Sequence, residues 1–74
     1  MQNRIVFNSE ILSGKPIIRG TRISVEFILE LLASGMQVDD ILTEYPHLKR
    51  ADVLAAINYA AQALKHEEVM IIGK

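Results

Sequence analysis

Three residues, Ser24, Gly35 and Pro46, punctuate the chain at intervals that leave room only for short helices between them. Ser24 is a good N-cap, because its hydroxyl accepts an orphan backbone N–H of a first helical turn. Gly35 takes the left-handed conformation that ends a helix. Pro46 has no amide hydrogen and stops the helix before it. Between these marks the apolar residues recur at helical spacing. In a first helix over residues 25–34, Val25, Ile28, Leu29 and Leu32 line one side, widened by Phe27 and Leu31. Glu26, Glu30 and Ser34 mark its wet side, and Glu26 suits the positive end of the helix dipole. A short second helix has Asp39 and Asp40 in its first turn and Val38, Ile41 and Leu42 as apolar positions. Residues 46–49 form a turn that His47 is expected to hydrogen-bond, and a last helix starts near Arg50. Its apolar stripe reads Val53, Leu54, Ile57, Ala60, Ala61 and Leu64, with Asp52, Ala55, Asn58, Tyr59, Gln62 and Lys65 on the other face.

Before Ser24 the pattern changes. Residues 4–7, Arg-Ile-Val-Phe, read as a short strand, and Asn8–Lys15 as a loop. Pro16 to Ser24 contains a turn at Arg19-Gly20, flanked by Ile17-Ile18 and Thr21-Arg22-Ile23, so a small hairpin is predicted there. The expected fold is mainly α, a three-helix bundle with a helix-turn-helix arrangement and a short N-terminal β-strand and hairpin. It forms one domain over 1–74, divided into strand and hairpin (4–23), helices (24–67) and a tail (68–74). The tail's Val69-Met70-Ile71-Ile72 run is too short for a helix of its own and reads as an added strand or a partner-docking segment.

Composition narrows the function. With 74 residues and no cysteine, neither a disulfide framework nor a thiolate zinc site is available. A domain this small buries only about 60% of its unfolded surface, so a partner chain is the expected source of extra stability. Helix one is apolar over more than half its circumference. A homodimer is expected, formed through the strand or hairpin region or through helix one. Residues 1–13 alternate polar and apolar and contain no signal-peptide core, and no apolar run approaches the roughly 20 residues of a membrane helix. A soluble cytoplasmic protein, without membrane contact, is expected. The formal charge of −1 and pI near 6.0 argue against strong non-specific nucleic-acid binding but leave room for a local basic patch.

The motifs point away from catalysis. Gly14-Lys15 is followed by Pro16, which has no N–H to donate to a phosphate, so the stretch is not a nucleotide loop. His47 and His66 are too far apart for a metal pair. No nucleophile, base and orienter set is visible, so an enzyme, a cofactor and a small-molecule substrate are not expected. Lys15, Arg19 and Arg22, by contrast, place three cations around a turn, suited either to phosphates or to acids of the same fold. Short helix, tight turn and longer helix are the parts that set a recognition helix in a major groove. Lys49 and Arg50 stand at its start, and the amides of Asn58 and Gln62 are of the kind that reads adenine. Asp52 on that face is expected to oppose phosphate.

Gly14-Lys15-Pro16, Ile18-Arg19-Gly20-Thr21-Arg22-Ile23, the Gly35 helix end, Tyr45-Pro46-His47-Leu48 and the Ala-rich last helix together resemble a small prokaryotic family, domain of unknown function 433. The resemblance spans roughly residues 4–65. It implies a homeodomain-like fold and a VapB-like antitoxin that pairs with a PIN-like nuclease toxin and binds its own promoter. Lys49, which cannot cap, stands where the family often has Thr or Ser. On this reading Lys15, Arg19, Arg22, Lys49, Arg50, Asn58 and Gln62 face operator DNA, and Val69, Met70, Ile71 and Ile72 dock on the toxin. The alternative is a dimeric, non-enzymatic interaction module whose hairpin and tail add strands to another protein.

Overall fold

A computed structural model of the chain describes the backbone of residues 4–72 and the side chains of residues 4–65. Strand β1 (Ile5–Phe7) pairs antiparallel with β2 (Pro16–Ile18), and helices α1 (Val25–Ala33), α2 (Val38–Glu44) and α3 (Arg50–Ile72) follow. The register sets Ile5 opposite Ile18 and Phe7 opposite Pro16.

The predicted hairpin is thus displaced by one arm. The turn at Arg19-Gly20 is present, closed by Thr21 N–H donating to Ile18 O (3.0 Å). Gly20 sits at φ 79°, where a side chain would be strained. The arm after the turn, however, makes only an isolated bridge between Ile17 and Ser24. Thr21 explains why. Its hydroxyl donates to Ile18 O (2.8 Å) and accepts from Ile23 N–H (2.9 Å), taking groups a ladder would need. The strand partner of β2 comes instead from β1, across a tight turn at Leu12–Gly14 in which all three residues have positive φ.

The helix boundaries follow their punctuation. The Ser24 hydroxyl accepts from Phe27 N–H (2.9 Å), and Gly35 leaves α1 at φ 104°. At α2 the carboxylate of Asp40 reaches back to Gln37 N–H (3.0 Å). At α3, where Lys49 offers no capping side chain, Asp52 does the same work. Its carboxylate accepts from Lys49 N–H (2.9 Å). The turn before α3 is closed by Leu48 N–H donating to Tyr45 O (2.9 Å); His47 is exposed there and no side-chain hydrogen bond to the turn is found. The Tyr45 ring meets Phe27 edge-on at 5.7 Å, which fastens that turn to α1.

The core is one cluster, with Ile18, Val25, Ile28, Ile41, Leu48, Val53 and Ala56 buried and Leu29, Leu32, Leu42 and Tyr59 packed around it. On α3 the buried line differs from the predicted stripe. Asp52, Val53, Ala55 and Ala56 are buried, whereas Leu54, Ile57 and Leu64 are 57%, 40% and 59% exposed. The helix is apolar nearly all round, so spacing alone does not choose its inner face. The choice falls to small Ala56, which is fully covered. A small residue lets packed helices approach closely. The expected tail strand is also replaced: α3 continues through Val69–Ile72 as helix, and the side chains of those residues lie outside the described ones. No helix among the described residues is long and apolar enough to cross a membrane.

Candidate nucleic-acid interface

Arg4 connects the cationic turn to the long helix. Arg19 N–H donates to Arg4 O (2.8 Å), continuing the strand pairing one step beyond β1. The Arg4 guanidinium then reaches Asp52 (2.9 Å), whose other carboxylate oxygen holds the start of α3. A short chain of hydrogen bonds therefore joins the Arg19-Gly20 turn to Lys49, at the start of α3. Neither Arg4 nor Asp52 was singled out as a binding residue by the sequence. A charged residue three positions into a helix, after an uncapped start, is the signal that could have found Asp52. Asp52, expected to oppose phosphate, is 6% exposed and its charge is met by Arg4, which weakens that opposition.

The other sequence-selected residues divide. Lys49 and Arg50 are exposed at the positive end of α3, a position that favours anions. Arg50 is ion-paired with Asp39 of α2, and both side chains are largely exposed. Asn58 and Gln62 are exposed on α3 at a spacing of one turn. Exposed Lys65, which sequence reasoning left out of the site, extends that face. Ala55, expected beside them, is buried. Arg22 is exposed on the far side of the turn, beside Ile23, Leu12 and Phe27. Lys15 belongs to a separate region. It pairs with Glu26 (2.9 Å), and the hydrogen bond and charge of Glu26 raise the pKa of Lys15 above its ordinary value. Lys49, Arg50, Asn58 and Gln62 are thus exposed at the start of α3 and along it, Arg19 is linked to that helix through Arg4, and Lys15 and Arg22 lie elsewhere. Among the described residues no cluster of His, Asp or Glu suits a metal ion.

By fold this is a small three-helix domain of helix-turn-helix form, with a strand pair at its N-terminus. The chain belongs to the family described as "Protein of unknown function (DUF433)", whose model matches residues 5–60. Among solved structures it is similar to a DUF433 member protein from Anabaena variabilis ATCC 29413, with 30% sequence identity and a TM-score of 0.80 over 96% of this chain and 70% of that one. A search of curated proteins found no match.

Proposed function

We propose that this chain is an antitoxin-like DNA-binding protein of a prokaryotic toxin–antitoxin pair, cytoplasmic, without catalytic activity, that binds its own promoter and a PIN-like nuclease. The observation that carries the DNA reading is the hydrogen-bond chain from Arg19 through Arg4 and Asp52 to the start of α3. That chain of bonds supports the reading by tying the basic turn to the helix N-terminus, and Asn58, Gln62 and Lys65 are exposed further along α3. Arg19, Lys49 and Arg50 supply phosphate contacts, which fix position, and the two amides supply base contacts. Two copies match the two half-sites of a palindromic operator. The nuclease contact is assigned to the last turns of α3.

The test is retardation of a labelled fragment of the chain's own upstream DNA, across a salt series, with unrelated DNA as competitor. Specific retardation should weaken steeply with salt. Arg19→Ala and Arg50→Ala should each weaken binding to all sequences and lower the salt slope by about 1. Asn58→Ala should instead relax preference among sequences. Absence of retardation at tens of micromolar protein overturns the reading. One observation favours the second reading, an interaction module without DNA binding. The exposed Leu54, Ile57 and Leu64 give α3 an apolar outer line that a groove-reading helix does not need.

A further inference from the structure

A helix that enters a major groove reads base edges with the residues of its first turns. In α3 burial leaves few of them. Between Ala51 and Ala60 the exposed residues are Leu54, Ile57 and Asn58. Asp52, Val53, Ala55 and Ala56 are buried, and Ala51, Tyr59 and Ala60 are half-buried. Leu54 is 57% exposed and Ile57 is 40% exposed. Spacings of three and four residues set Leu54, Ile57 and Asn58 on one face of the helix. Past its cationic start, α3 therefore offers two aliphatic side chains and one amide to whatever lies along its first turns.

That combination has a chemical preference. Aliphatic carbon has no hydrogen bond to give to O6 and N7 of guanine or to take from the amino group of cytosine. Pressed against them, it removes their water and replaces nothing. Thymine differs, because its C5 methyl stands in the major groove as apolar surface. A Leu or Ile laid on that methyl takes apolar area of both partners out of water. The base paired with thymine is adenine, whose N6 and N7 an amide side chain engages together. The two aliphatic chains and the amide thus match both bases of an A·T pair.

We propose that α3 recognises A·T-rich sequence, with Leu54 and Ile57 packed on thymine methyl groups beside the adenine that Asn58 reads. The proposal rests on the DNA reading above and assigns sequence choice to two residues outside the set given there. Arg19, Lys49 and Arg50 hold phosphates, which carry no sequence information, so Leu54, Ile57 and Asn58 decide which bases are accepted. The first half of the apolar outer line of α3 then has its occupant inside the groove. Leu64, two turns beyond Ile57, has no part in it.

The test uses the chain's own upstream fragment made twice, once with thymine and once with uracil in its place. Uracil lacks the methyl and keeps the same hydrogen-bonding edge. In the retardation assay the full-length wild type should bind the thymine fragment at least about tenfold more tightly, at about fourfold for each methyl covered. Leu54→Ala and Ile57→Ala should each shrink that ratio, and the double variant should bring it close to one. Asn58→Ala should keep it. Both replaced side chains are exposed, so the helical circular dichroism should stay that of the wild type. Equal affinity of the wild type for the two fragments overturns the proposal and leaves DNA binding standing. A ratio that persists in the double variant also overturns it, by tracing the preference to the duplex rather than to these side chains. No retardation of the thymine fragment overturns DNA binding and the proposal together.

Discussion

The two halves of α3 are made of the same residue types and have opposite fates. From Arg50 to Ala60 the helix lies against the core and buries Asp52, Val53, Ala55 and Ala56. From Ala61 to Lys65 every residue is exposed, although the sequence is still Ala, Gln and Leu. Apolar composition therefore does not decide burial here. The proximal half is structural, and the described residues beyond it face solvent.

Substitutions can break or sharpen that contrast. The largest effect is expected at Ile28, fully buried on α1 against the proximal half. Ile28→Ala should cost about 2–5 kcal/mol in urea unfolding, enough to leave so small a domain barely folded. Next comes one substitution made in both halves. Ala56→Leu should overpack the contact with the core and cost about 1–3 kcal/mol, whereas Ala63→Leu should stay within about 0.5 kcal/mol. Equal effects at the two alanines would erase the distinction. Asp52→Ala removes the cap of α3 and the partner of Arg4, which is itself 41% exposed. Its expected cost is about 1–2 kcal/mol, read as a lowered urea midpoint without a change of slope.

Smaller effects belong to the surface pairs. Asp39→Asn frees Arg50 from an exposed ion pair and should tighten DNA binding by at most about fivefold, measured by the same retardation assay. The Lys15–Glu26 pair should show the least. Its raised lysine pKa means a stabilisation fully present below the unfolded value and lost as pH rises through the folded value, above 10.5. Thermal melts from neutral pH to about pH 11 should therefore fall slightly more for wild type than for Lys15→Met.

The parts legible in the sequence were those set by neighbours along the chain. Ser24, Gly35 and Pro46 mark helix ends because a cap, a left-handed residue and a missing N–H act within a turn of themselves. The strand at Ile5–Phe7 was legible for the same reason, as a run of β-branched and aromatic residues. Its pairing with Pro16–Ile18 was not, because it depends on a left-handed turn at Leu12 and Ser13, residue types that carry no preference for it. The inner face of α3 was misread because bulky Leu54 and Ile57 outweigh Ala55 and Ala56 in any apolar count, while packing favours the smaller pair. The candidate site was legible in its cations and amides. Its connecting residues were not, since Arg4 and Asp52 meet across 48 positions.

That span has a consequence for how the chain assembles. Closing a loop of this length carries an entropic cost that local turns do not, so contacts of this kind form late. During synthesis Arg4 waits for Asp52 until the two helices between them have been made. Until they meet, the longest helix has a frayed beginning and the first strand an untethered end. The helices then gather first, and the contact of Arg4 with Asp52 fastens the first strand to the start of the last helix.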